Sequence, residues 1–222
     1  MTSADVRVIS LDLDQPAAVV ERLDALLPPS ERDAPVPIRV ARATTRVVLA
    51  EVLGIDPLAV PISRRCAHCG HPTHGRPTVA GAGGLSYSLS HSGSFAILAL
   101  ADGDARVGVD VEQVQPRRRL GALAARVLND EEHADWLAID DADDQLRSFL
   151  RAWTAKEAYL KALGIGIATR LRDVPVRVEG WTATELRVGG ARIASLAIDR
   201  TDFGVRYLES PALAMSNGGT AG

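Results

Sequence analysis

Residues 106–114 read RVGVDVEQV, and their strict alternation marks the central strand around which the rest of the chain is arranged. In an extended segment Val107, Val109 and Val111 share one face, while Gly108, Asp110 and Glu112 share the other. The valine face asks for a core. The other face presents two carboxylates side by side, with Gly108 leaving room for something to approach the backbone. Like charges this close repel unless a cation lies between them or one takes up a proton. The face is therefore either a metal site or a wet strand surface on which the acids serve solubility.

A second segment bears on that choice. Between Gln145 and Leu163, Leu146, Phe149, Leu150, Trp153, Leu160 and Leu163 recur at helical spacing. Glu157 falls on the same stripe, where a bare carboxylate is costly. Lys161, four residues on, offers the plain explanation of an i,i+4 ion pair. Lys156 lies about 100° around the helix and flanks the same region. Three carboxylates with a few waters suit Mg²⁺, and nearby lysines suit the phosphate oxygens that such a metal leaves uncovered.

Outward from these two segments, alternation predicts strands at 6–13, 85–89, 95–100 and 106–111. Helices are expected at 17–27, stopped by Pro28-Pro29, at 38–53, closed by Gly54, and at 120–128. Asn129 or Asp130 caps a further helix, residues 140–144 read as an acidic loop, and the long helix runs over 144–163. Segments 174–178, 184–188, 191–198 and 204–208 read as an antiparallel meander. Residues 57–84 read as an irregular, exposed connection, and the terminal SNGGTAG as a frayed tail. The sum is an α+β architecture.

Composition limits the function classes. Hydrophobic residues make up 46% and charged residues 24% of the 222, enough for an ordinary core. A net charge of −3 argues against a nucleic-acid polycation. No run of about 18 apolar residues exists to span a membrane, and the acidic N-terminal stretch does not read as a secretory signal. A cytoplasmic protein is the expectation.

The motifs resemble those of the 4'-phosphopantetheinyl transferase superfamily. GVDVE at 108–112 and WTAKEAYLK at 153–161 carry the resemblance. Gly75-Arg76-Pro77 matches the G-[KR]-P segment of the monomeric Sfp type, and Tyr87 to Ser92 its F-N-x-S-H-S segment, with Ser88 in place of Asn. The four motifs fall in the family's order between residues 40 and 170. The resemblance implies two similar α/β halves, 1–106 on the nucleotide side and 107–222 with the metal site and catalytic helix. The halves would be related by a pseudo-twofold, each a small antiparallel sheet with helices, with the active site in the cleft between them. It also implies an enzyme that moves phosphopantetheine from coenzyme A to a serine of an apo acyl or peptidyl carrier protein, releasing 3',5'-ADP, in secondary metabolism. Asp110, Glu112 and Glu157 would hold Mg²⁺. Glu157, Lys156 and Lys161 would be catalytic, and Arg46, Arg76, Ser90, His91, Lys156 and Lys161 would hold coenzyme A. Lysines that the family places before the helix at 38–53 are missing, so Arg39 or Arg42 is left to meet the 3'-phosphate. Glu157 and a metal-bound water both remain open as acceptor of the serine proton.

Three features stand outside that scheme. Cys66, His68, Cys69, His71 and His74 are close enough in sequence for structural zinc, with Cys66, Cys69, His71 and His74 the ligand set, although a reduced surface loop is the default. Arg117–Arg119 and Arg126 are either a carrier-docking surface or a solvated one. The competing functional class is a catalytically idle paralogue that binds coenzyme A or a carrier without transfer.

Overall fold

The computed structural model describes residues 4–65, 70–71, 75–81, 83–165 and 169–210. The element order is β1 (Ala4–Asp12), α1 (Ala17–Asp24), α2 (Val36–Leu53), β2 (Ile62–Ser63), β3 (Thr78–Val79), β4 (Leu85–Ser92), β5 (Phe95–Asp102), β6 (Val107–Gln113), α3 (Leu120–Val127), α4 (Asp130–Leu137), α5 (Ala142–Leu163), β7 (Thr182–Glu185), β8 (Arg192–Ile198) and β9 (Phe203–Leu208). One sheet has the order β4-β5-β1-β9 and a second β6-β8-β7, while β2 and β3 form a short hairpin of their own. The architecture is α+β, as expected. Among the described residues no helix is long and apolar enough to cross a membrane.

Alternation along β5 shows how the layers form. Ala96, Leu98 and Leu100 join β1 residues Ile9 and Leu11 in a core with α1 and α2, whose Val20, Leu23, Val40 and Leu49 face them. Ile97, Ala99 and Ala101 point the other way, into a core shared with Val107, Val109, Val111, Leu196 and Ile198 of the second sheet. A third cluster, with Phe149, Leu150, Trp136 and Leu128, lies around α3, α4 and α5. From Phe95 to Ala101 β5 is apolar because it is covered on both faces.

Helix boundaries follow their caps. α2 starts at Val36, two residues before the expected 38, because Pro37 costs no hydrogen bond in a first turn. Gly54, at φ 67°, closes it. Asn129 caps α4 in a reciprocal box with Glu132. Asp141 caps α5 by accepting from the N–H groups of Asp143 and Asp144, so part of the expected acidic loop is the helix's first turn.

The expected meander is only partly formed. Residues 174–178 make no strand; Pro175 has no N–H to offer, and Val176 N–H donates to the Glu132 carboxylate at 3.1 Å. β7 and β8 pair antiparallel, but β9 leaves their sheet and pairs parallel with β1, Val6 opposite Val205.

Candidate active site

β4 runs on through Ser90-His91-Ser92, which reads from sequence as a connection, and turns at Gly93-Ser94 so that Ser92 pairs with Phe95. The longer strand brings four serines onto one face, and they meet the free edge of β6. Ser86, Ser88 and Ser92 hydroxyls accept from the N–H groups of Val107, Val109 and Gln113 at 3.1, 3.1 and 3.2 Å. Ser90 and Ser92 in turn donate to Asp110 Oδ1 (2.8 Å) and Glu112 Oε2 (3.2 Å). A row of hydroxyls thus joins the edge strands of the two sheets and satisfies backbone donors that would otherwise be orphaned. Ser88, in place of Asn, is part of this row.

Gly108 has the role its position suggests. A Cβ there would stand 2.0 Å from Ala158 O and 2.6 Å from Ala162 N, so it is the α5 backbone that approaches. This close seating brings Glu157 and Lys161 over the acidic face of β6. Lys161 Nζ donates to Asp110 Oδ1 at 2.6 Å and to Ser90 Oγ at 2.8 Å. Asp110 is 6% exposed, and its other oxygen, Oδ2, is buried with no hydrogen-bond partner among the described residues. Burial raises the Asp110 carboxyl above its ordinary range against the pull of Lys161. The Glu157 carboxyl is also raised, by burial first and then by the charges of Asp110 and Glu112. The Glu157 carboxylate makes no hydrogen bond or ion pair among the described residues.

The three carboxylates therefore share one electrostatic neighbourhood and destabilise one another's charged forms. Among the described residues no group of three His, Cys, Asp or Glu side chains is drawn in tightly enough to hold a metal as it stands; Lys161 lies on Asp110, and Arg117 on Glu112 at 2.6 Å. The donor set nonetheless fits a hard divalent cation. It is all oxygen, it includes a buried carboxylate oxygen without a partner, and its mutual repulsion is what a cation relieves.

Beside this group lies a cleft of about 380 Å³ between α2 and β4 on one side and the C-terminal turn of α5 on the other. Arg42, Arg64, Arg76, Tyr87, His91 and Lys161 line it. Arg76 ties β4 to β6 and α5: it donates to Ala162 O (2.9 Å), to Val107 O (3.2 Å) and to the Ser86 hydroxyl, while its buried Nε–H has no partner among the described residues. The Tyr87 hydroxyl is pushed up to about 12, chiefly by burial.

Two residues expected at the site are not brought to it. Arg46, a residue of α2, is 4% exposed, paired with Glu31 at 2.7 Å and donating to Pro57 O and Val60 O, so its guanidinium is used within the fold. Lys156 is fully buried, with its ammonium on Glu132 (2.5 Å), Val127 O (2.8 Å) and Leu171 O (3.2 Å). The rotation of about 100° between adjacent helical residues turns Lys156 toward α3 and α4 while Glu157 faces β6. Arg39 is occupied by Asp24 at 3.2 Å, leaving Arg42 as the α2 arginine in the cleft. Arg64 was not legible in advance: it lies in a Pro-, Gly- and Cys-rich stretch with no periodicity to orient it. Cys66, His68, Cys69 and His74 lie outside the described residues.

Residues 106–207 match the family model described as the 4'-phosphopantetheinyl transferase superfamily. The chain is 28% identical over 206 residues to 4'-phosphopantetheinyl transferase HetI of Nostoc sp., covering 86% of this chain and 81% of that one. It is 34% identical over 124 residues to 4'-phosphopantetheinyl transferase AcpT of Salmonella typhimurium, covering 56% and 61%. It is 33% identical over 115 residues to 4'-phosphopantetheinyl transferase psf-1 of Bacillus pumilus, covering 52% and 47%. The chain thus spans less than two thirds of the last two relatives.

Proposed function

We propose that the chain is a member of the 4'-phosphopantetheinyl transferase superfamily and that it moves the phosphopantetheine arm of coenzyme A onto a serine of an apo acyl or peptidyl carrier protein. The observation that carries the reading is Lys161, which lines the cationic cleft and at the same time bonds the Asp110 carboxylate beside it. One side chain thus links a place for phosphates to a place for a cation. A monomeric, cytoplasmic enzyme of Sfp type serving polyketide or nonribosomal peptide synthesis fits this scheme, as does a pseudo-twofold between the halves, since one long helix packs on each sheet.

In this reading coenzyme A occupies the cleft. Arg76 and His91 contact it, and Arg42 with Arg64 meets the 3'-phosphate, replacing the lysines missing upstream. Mg²⁺ on Asp110, Glu112 and Glu157 would neutralise pyrophosphate charge. Lys161 exchanges part of its bond to Asp110 for the phosphate oxygens on which charge accumulates. The carrier serine Oγ forms a bond to the β-phosphorus as the bond from that phosphorus to the bridging oxygen breaks, and 3',5'-ADP departs. Glu157, whose carboxylate has no hydrogen-bond partner among the described residues and sits beside Lys161, accepts the serine proton. Lys156 ties α5 to α4 through Glu132 rather than touching substrate.

The test is incubation with a fluorescent coenzyme A analogue and a panel of apo carriers, with and without Mg²⁺. Labelling of at least one carrier, dependent on the metal, is expected. Tight binding of the analogue with no labelling of any carrier would instead identify an idle binding paralogue.

A further inference from the structure

The two carboxylates of β6 are held in the same manner. Asp110 accepts through Oδ1 from a β4 serine and a basic side chain, Ser90 and Lys161, and keeps Oδ2 bare. Glu112 accepts through Oε2 from Ser92 at 3.2 Å and from Arg117 Nη2 at 2.6 Å, and its Oε1 has no hydrogen-bond partner among the described residues. Each acid is pinned at one oxygen and free at the other. Lys161 belongs to a motif of the family; Arg117 does not.

We propose that Arg117 is a positioning residue for the cation site: with Ser92 it fixes the Glu112 carboxylate so that Oε1 is presented beside Asp110 Oδ2. The inference rests on the reading that Asp110, Glu112 and Glu157 hold a divalent cation. Two observations support it. Arg117 reaches back over the strand it has just left, only five residues after Glu112. The Arg117 Nε–H is buried without a partner among the described residues, so the guanidinium lies against the protein instead of extending into solvent. A partly exposed ion pair contributes little to stability, so its worth lies in the geometry it imposes.

The sign of the effect separates this role from a purely electrostatic one. Removing a positive charge next to a cation site favours cation binding by Coulomb's law. Removing a group that orients a ligand weakens binding, typically by about 10- to 100-fold. The experiment is calorimetric titration of Mg²⁺, with Mn²⁺ as a paramagnetic second probe, into the full chain saturated with coenzyme A and without a carrier. Arg117→Gln is expected to bind Mg²⁺ about 10-fold more weakly, and Arg117→Lys to fall between it and the parent. In transfer assays Arg117→Gln should need correspondingly more Mg²⁺ for half-maximal rate, with kcat recovering at high metal. Equal or tighter binding by Arg117→Gln would overturn the positioning role while leaving the metal site standing. A parent chain that binds neither ion would remove the metal reading and this inference together.

Discussion

At the scale of single residues, Glu157 is where function and stability oppose each other. Its side chain sits half-buried beside Asp110 and Glu112 with no hydrogen-bond partner among the described residues; burial and the charges of Asp110 and Glu112 raise its proton affinity, and Lys161 alone pulls it down. A carboxyl whose folded pKa exceeds its unfolded value is a group whose ionisation works against folding. Its penalty is fully present above the raised pKa and disappears as pH falls toward the unfolded value near 4. Glu157→Gln is therefore expected to abolish transfer, by about 10²-fold or more, yet to raise the thermal midpoint of the metal-free chain by about 2 °C at neutral pH. The difference between variant and parent midpoints, measured in chelator, should shrink on acidification toward about pH 4. Lys156 gives the opposite pattern. Its fully buried ammonium meets a Glu132 carboxylate that also caps α4 and holds Val176 N–H, so Lys156→Met removes one partner of a packed pair. A loss of roughly 3 kcal/mol, seen as a lower urea midpoint, is expected. The apparent affinity for coenzyme A of the folded fraction should stay near the parent's; a large loss of that affinity with an unaltered urea midpoint would count against the tie.

Among elements, the seating of α5 on β6 sets the geometry of the site. Gly108→Ala places a methyl against helix backbone, Ala158 O and Ala162 N, neither of which can turn aside as a side-chain end does. The helix must shift, at a cost of about 3 kcal/mol or more, and Lys161 moves off Asp110 with it. Circular dichroism melts and transfer rates should fall together, whereas Ser88→Ala should cost about 1–3 kcal/mol by leaving Val109 N–H unpaired. Much of this seating was legible in sequence. The valine face of 107–111, the glycine gap and the apolar stripe with Glu157 on it are local periodicities, and local periodicity survives into the fold. The serine row was half legible: Ser86, Ser88, Ser90 and Ser92 recur at period two, but a triplet of small polar residues also reads as a turn. What sequence alone does not carry is partnership across long separations. Lys156 reads as a neighbour of Glu157 until Glu132, 24 residues away, claims it. Arg46 is absent from the cleft because Glu31 captures it, and Arg64, which no periodicity orients, lines the cleft. The final strand pairs with the first, and no spacing within 203–208 announces that.

On the scale of the whole molecule, that last pairing decides how the chain should unfold. A boundary between residues 106 and 107 separates two regions of sequence, but β9 from the second is hydrogen-bonded along β1 of the first. The core between the sheets is made jointly by Val6, Val8, Ile97 and Ala99 with Val107, Val109, Leu196 and Ile198, so either half alone would expose that face to water. The β6 edge likewise donates its N–H groups to the hydroxyls of β4 serines. With so much shared, the halves are expected to melt as one cooperative unit. Calorimetry of the full chain should give a single transition with equal calorimetric and van't Hoff enthalpies. Residues 1–106 expressed alone should lack a cooperative transition and bind hydrophobic dyes. Two resolved transitions, or a stably folded first half, would mean that the shared core contributes little and that the cleft is a hinge between independent domains. In a single cooperative unit, by contrast, Arg76 and Lys161, each bonded to both halves, stand in a cleft whose width is fixed by the fold, so coenzyme A would meet a largely preformed site.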